Sequence, residues 1–347
     1  MYNSTGVWEG IIILNRWQFW VGLAISAIFL WLALQGLELG DVWSNIRGAN
    51  YWWLIPGVGA YFIGVWARTW RWDYMLRPLK QIPVRSLFPV VVIGYMGNNV
   101  YPFRAGELLR SYVLRRREGV PMSASLATVI VERVFDGLVM LVFVFVALPF
   151  APLPSNSLRT LVAVASLAFL GAMLIFFGLA AAPERAFTLA EWFSGIFVPR
   201  RARQPVLDFT IRFLQGLESL RNFRNVLMIF LTSLIIWLLE TVKYWFVMQA
   251  FPFQVSFFAL LLMNGVVNLA TTLPSAPGYV GTFDTPGIAI LTLYNVPPDL
   301  AGAYTLVLHA ALWLPITLLG AYYMLREGLG WSDFGRAAKV AESEATT

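Results

Sequence analysis

The sequence predicts an all-α polytopic membrane protein, and three observations carry that prediction. Of its 347 residues, 59% are hydrophobic and only 13% charged, about half the charge of an average soluble domain. The mean hydropathy is +0.67, and a soluble chain of this size has no way to hide so much apolar surface. Apolar stretches of the ~20 residues needed to cross a bilayer recur along the chain. The same composition narrows function. The absence of cysteine excludes a disulfide framework, a cysteine nucleophile and a thiolate metal site. A single histidine, His309, excludes a histidine-rich metal centre, so neither a metal nor a cofactor is expected. The pI of 9.6 fits basic cytoplasmic loops rather than a nucleic-acid surface.

The elements follow in order. Residues 1–16 are expected as a cytoplasmic N-terminus. Residues 17–36 carry no charge and form the first of six full spans; the stretch is too long for a signal peptide, and no small-residue cleavage site follows. Residues 51–75 form the second, with Arg68, Arg71 and Asp73 gathered at its end. Residues 86–103 are apolar but interrupted by Pro89, Gly94, Gly97, Asn98, Asn99 and Pro102. Proline and glycine at that density end helices. Irregular backbone at membrane depth survives only buried in protein or along a wet cavity, so this segment reads as a re-entrant hairpin. Residues 124–149 form the third span, with Glu132, Arg133 and Asp136 inside, and 158–182 the fourth.

Residues 183–224 make a cytoplasmic linker. Leu207, Ile211, Leu214, Leu217 and Leu220 recur there at helical spacing. An amphipathic helix on the membrane surface and an ordinary connector both remain open. Residues 225–250 form the fifth span, containing Glu240 and Lys243. Residues 256–294 hold a second re-entrant hairpin around TTLPSAPGYVGTFDTPG. Residues 302–325 form the sixth span, containing His309, and 326–347 a cytoplasmic tail.

Charge sets the expected orientation. With the N-terminus in the cytoplasm and only the six spans crossing, 21 of the 25 basic residues fall inside, counting those from Arg68 to Arg85 and from Arg104 to Arg117. Arg47 and Arg159 fall outside, and Arg133 and Lys243 within spans. That bias obeys the positive-inside rule. Pro102-Phe-Arg-Ala-Gly106 and Pro274-Ser-Ala-Pro-Gly278 share a Pro-x-x-x-Gly pattern, 172 residues apart, with three crossings between them. The two hairpins would then enter from opposite faces. The halves 17–150 and 158–325 each read span, span, hairpin, span, an inverted-topology repeat of the kind transporters use.

The run from Gly94 to Asp136, GYMGNNVYPFRAGELLRSYVLRRREGVPMSASLATVIVERVFD, resembles the lysylphosphatidylglycerol synthase transmembrane family. These are flippase-like domains related to the N-terminal part of the multiple peptide resistance factor. Leu-Pro-Ser-Ala-Pro-Gly-Tyr-Val-Gly-Thr-Phe-Asp, ending at Asp284, is similar to the second signature of that family. The resemblance covers roughly 10–325. It implies a lipid translocase for phospholipid, aminoacylated phospholipid or another anionic lipid, rather than an enzyme. About 20 polar residues follow position 325, so the resemblance carries no lipid synthesis with it. A membrane-embedded transferase acting on lipid-linked substrates, and a non-catalytic partner of a separate synthase, remain alternatives. Expected partners are membrane lipids with anionic head groups, a separate synthase or transferase, and further copies of the chain.

The candidate substrate-binding residues are the polar groups of the broken and charged segments. A charge near the bilayer centre costs about 2.5–3.5 kcal/mol on insertion scales, so Glu132, Arg133 and Asp136 must face protein or water. They read either as a polar transport site or as an ion cluster locking helices. Arg104 and Glu107 flank Gly106; an arginine fork suits phosphate, and pairing of Arg104 with Glu107 or Glu132 is the alternative. Arg110 lies off that face. Asn98 and Asn99 are expected to bond freed carbonyls or a head group. Glu240 and Lys243 read first as a local ion pair. Asp284 reads as a cap near Thr282, with substrate contact as its alternative, and His309 as a packing residue rather than a proton relay. Pro102, Gly106, Pro274, Pro277, Gly278 and Gly281 shape the hairpin backbones. No residue is assigned a catalytic role.

Overall fold

The computed structural model describes residues 17–101, 104–147, 149–150, 181–197, 222–273 and 275–330, with scattered positions within 160–178, 203–211 and 333–340. All regular structure among them is helical. Helix α1 (Trp17–Leu34) and α2 (Leu39–Gly48) meet at 83°, with Gly36 at φ 77° in the turn between them. Helix α3 (Leu54–Leu76) follows a short 3-10 turn. The first hairpin is α4 (Val84–Val100) and α5 (Ala105–Glu118), and α6 (Met122–Ala147) closes the first half. Helix α7 (Pro183–Phe197) occupies the start of the expected linker. The second half is α8 (Phe223–Met248), the hairpin α9 (Phe257–Ala270) with α10 (Asp284–Leu293), and α11 (Pro298–Arg326). Most of the expected span 158–182, together with Leu214, Leu217, Leu220, Pro102 and Pro274, lies outside the described residues.

Two helices, α8 and α11, are long and apolar enough to cross a membrane by length and composition, and the bent pair α1–α2 passes the same measure as a unit. At 1.5 Å per residue α3 and α6 extend about 35 and 39 Å, also enough to cross, and both carry charges. Outward-facing Ile55, Ile63, Leu318 and Leu325 are each at least 60% exposed. Such a surface is a liability in water and the expected one against lipid.

The first hairpin differs from expectation in where it breaks. Helix α4 runs unbroken from 84 to 100 through Pro89, Gly94, Gly97, Asn98 and Asn99, and α5 begins at Ala105. Pro89 removes one backbone donor within the first two turns. Gly94 and Gly106 serve packing rather than breaking. A Cβ on Gly106 would lie 1.9 Å from the Gly94 carbonyl oxygen and 2.4 Å from the Asn98 nitrogen, so only glycine lets α5 return against α4. In the second hairpin α9 ends at Ala270 and α10 begins at Asp284, and between them Gly278 takes φ 74° in a 3-10 turn.

Sequence offset relates the two halves. Adding 172, the separation of Arg68 and Glu240, carries α3 onto α8, α4 onto α9, α5 onto the segment ending in α10, and α6 onto α11. The packing obeys the same exchange. Helix α4 lies on α11 as α9 lies on α6, and α3 lies on α8, its own counterpart. That last pair is antiparallel: Gly57 meets Val247, Gly64 meets Leu239 and Arg71 meets Ser233. Counterparts that run antiparallel are related by an axis across the helices, not along them. The halves are therefore inverted copies.

Candidate functional site

Charged side chains gather where the inverted halves meet. On α3, Arg68 donates to Glu240 of α8 at 2.7 Å, and Glu240 also pairs with Lys243 one turn further on. Arg71 donates to Asp136 at 2.6 Å and to the Ser233 hydroxyl at 2.7 Å. The Trp237 ring nitrogen donates to the same carboxylate at 2.9 Å. Arg110 of the first hairpin donates to Glu132 at 2.7 Å. Arg133 bridges Glu107 at 3.3 Å, Asp136 at 3.4 Å and Glu132 at 3.7 Å. Arg104, in the left-handed region at φ 53°, lies 3.5 Å from Glu107 and reaches across to the Thr271 carbonyl at 3.4 Å. Most of these groups are buried, where pairing is what makes a charge tolerable. The side chains of Arg104 and Arg133 remain 25% and 34% exposed.

These two face a cavity of about 140 Å³ between the halves. Its wall takes Asn98 and Asn99 from α4, Arg133 and Asp136 from α6, Arg68 and Tyr61 from α3, Glu240 and Trp237 from α8, and Asn268 from α9. Tyr279, His309 and Trp313 complete it. A second cavity of about 160 Å³ lies between the two breaks and shares Asn98, Arg104, Thr271 and Tyr279. The breaks thus face one another. The Trp313 ring nitrogen donates to the Asn99 carbonyl at 3.2 Å, and the Asn99 amide donates to Thr317 at 2.8 Å.

The second break is tied to α11 through His309. Its Nδ1 lies 2.8 Å from an Asp284 carboxylate oxygen and its Nε2 2.7 Å from the Gly278 carbonyl. The Gly278 carbonyl can only accept, so Nε2 carries a proton toward it, and Nδ1 faces the Asp284 carboxyl group. The other Asp284 oxygen accepts from the Gly281 amide at 2.9 Å, while the Thr282 hydroxyl bonds the Tyr279 carbonyl. Asp284 is therefore the first residue of α10 rather than its N-cap, which is Phe283 with no side-chain cap bond, and its carboxylate holds the turn through the Gly281 amide and His309.

Of the residues singled out in the sequence, Asn98, Asn99, Arg104, Arg133, Asp136 and Glu240 line the central cavity. Glu107, Arg110, Glu132 and Lys243 stand behind them as ion partners. Asp284 does not line the cavity and pairs with His309, which does. The sequence reading missed Arg68 and Arg71, which it assigned to a cytoplasmic cluster. Both are buried in α3, and Arg110 of the next basic run is buried as well. With these and Arg104 removed, 17 of the 21 basic residues counted toward the expected cytoplasmic face remain in that count. Arg68, Arg71 and Asp73 differ in fate although they are close in sequence: the first two face α8 and α6, while Asp73 pairs with Arg77 at 2.7 Å. The signal for Arg68 lay in the repeat itself, since Glu240 is its counterpart. Among the described residues no group of three or more histidines and carboxylates is placed to hold a metal.

Fold and site together define an all-α membrane protein of two inverted halves enclosing a charged cavity. The sequence matches the model of the lysylphosphatidylglycerol synthase TM region over residues 19–320, and the chain belongs to that family. It is 25% identical to a UPF0104 membrane protein of Methanothermobacter thermautotrophicus, covering 87% of this chain and 90% of that protein. A UPF0104 membrane protein of Methanocaldococcus jannaschii is 26% identical over 74% of this chain and 79% of its own length. Glycosyltransferase AglD of Haloferax volcanii is 26% identical over 86% of this chain, which is 52% of that protein. No solved structure matches.

Proposed function

We propose that this chain is a lipid translocase that carries phospholipid head groups between leaflets through the cavity joining its two hairpins. The observation that carries the reading is the cavity's construction. Both breaks and both halves contribute to the central cavity, at the interface where inverted-repeat transporters bind their cargo. An ion cluster serving only to lock helices would have no need of a chamber or of two partly exposed arginines. Residues 17–325 would form the translocating domain in the cell membrane, with both hairpins re-entrant. The 17 remaining basic residues favour cytoplasmic termini. The sequence holds no Gly-x-x-x-x-Gly-Lys-(Ser/Thr) loop, so a gradient, a partner or the lipid imbalance itself would drive transport. A separate synthase or transferase is the natural source of cargo, and self-association is compatible with the exposed apolar surface.

Purified protein in vesicles is expected to move fluorescent phospholipid between leaflets faster than protein-free vesicles do, and Arg133→Ala to slow it by about tenfold or more. Equal rates with and without protein would remove the reading. A second reading, a membrane transferase acting on a lipid-linked sugar, is favoured by the name of the Haloferax relative. Product formed by the purified chain from a labelled sugar donor would support it.

A further inference from the structure

The charges around the cavity do not balance. Arg71, Arg104, Arg110 and Arg133 form one ion-pair cluster with the three carboxylates Glu107, Glu132 and Asp136, while Arg68 and Lys243 share Glu240 in a second. His309, which also lines the cavity, pairs with Asp284 outside both clusters. Among the described residues each cluster therefore carries one positive charge more than its carboxylates. Enclosed in protein, such an excess calls for a counter-anion.

Position says where that anion belongs. Arg68, Arg71, Arg110 and Lys243 each lie within 2.7 Å of a buried carboxylate oxygen. Arg104 and Arg133 make only longer ion contacts, at 3.3 Å or more, and share Glu107 between them. Both line the cavity and are the more exposed members of their cluster. Asn98 lines it too, and its side-chain oxygen is buried with no hydrogen-bond partner, an acceptor suited to a donor such as a hydroxyl. From this we infer that the cavity selects a lipid head group with net negative charge, its phosphate between Arg104 and Arg133, and rejects cationic head groups such as an aminoacylated one. An ammonium on the cargo would enter a chamber already in positive excess, and like charges at close range are strongly discriminated against.

This inference rests on the translocase reading, and the experiment separates their failures. The full chain is reconstituted in phosphatidylcholine vesicles carrying trace labelled phosphatidylglycerol, phosphatidylcholine or lysylphosphatidylglycerol, which bear net negative, zero and positive charge. Leaflet exchange is measured for each, beside uptake of labelled inorganic phosphate. Phosphatidylglycerol is expected to exchange about tenfold faster than the lysyl lipid. Arg104→Glu should narrow or reverse that preference, which a merely structural arginine would not do. Arg47→Gln, an exposed position stacked on Trp43, should leave it unchanged. Retention of the gel-filtration position checks that each variant is folded. Three equal rates above those of protein-free vesicles would overturn the selectivity and leave translocation standing. Rates equal to protein-free vesicles would overturn both. Phosphate uptake with no lipid preference would overturn the lipid head group as the source of the anion.

Discussion

The two halves share a backbone plan and differ in charge. In the first, the hairpin and following span carry Arg104, Glu107, Arg110, Glu132, Arg133 and Asp136. Their counterparts 172 residues on are Ala276, Tyr279, Thr282, Tyr304, Thr305 and Leu308: every charge has a neutral partner. At the α3–α8 contact Arg68 stands opposite its counterpart Glu240, a reversal of sign, whereas Arg71 and its counterpart Lys243 are both cations with different carboxylate partners. Backbone geometry is thus duplicated while electrostatics is not. Helix packing tolerates wide changes of side chain as long as close contacts such as Gly94 on Gly106 survive. A charge network does not duplicate so freely, because each buried charge needs its own partner.

The comparison predicts a graded series of stability effects. The largest falls in the first half. Glu132→Ala strips Arg110 of its buried carboxylate and is expected to cost about 3–5 kcal/mol, read as a lower thermal midpoint in detergent. In the second half, His309→Leu should cost about 2–3 kcal/mol, because Asp284 loses a charged hydrogen bond but keeps the Gly281 amide. His309→Gln, able to donate to one partner, should recover part of that. The direct counterpart of Glu132, Tyr304, donates one neutral hydrogen bond to the Tyr244 carbonyl at 3.0 Å. Tyr304→Phe should cost about 1 kcal/mol. If Glu132→Ala and Tyr304→Phe cost the same, the electrostatic contrast between the halves is wrong. The smallest effect is expected at the rim, where half-exposed Lys80 pairs with Glu118 at 2.8 Å. Lys80→Ala should change stability by less than about 1 kcal/mol and lose even that in high salt.

Much of the fold was legible before the structure. Hydropathy located α1, α3, α6, α8 and α11 to within a few residues, because a helix in lipid must be apolar over a set length. The Pro-x-x-x-Gly pair marked both hairpins and their spacing. Reading Pro89, Gly94 and Gly97 as breakers was wrong for a physical reason. Glycine both ends helices and lets them touch, and the sequence does not say which. The site was half legible. Ionisable residues inside spans are conspicuous by their cost, and Arg133, Asp136 and Glu240 did meet at the cavity. Arg68 and Arg71 were hidden because they stand near the end of an apolar run, where a basic residue is ordinarily a loop signal.

The sequence by itself determined the membrane class, the order of the five long helices and two hairpins, and the break points to within a segment, while α2 and α7 went unread and the twofold repetition was an expectation only. What it determined are local or periodic properties of the chain, set by what lipid and backbone hydrogen bonding demand of each stretch. Only the tertiary structure decided the site. Arg71 meets Asp136 across 65 residues and Ser233 across 162, and Arg68 meets Glu240 across 172. Pairings at such separations arise only when the antiparallel packing of α3 on α8 brings them within hydrogen-bond range. The two surplus positive charges likewise become visible only once every carboxylate has been assigned its partner.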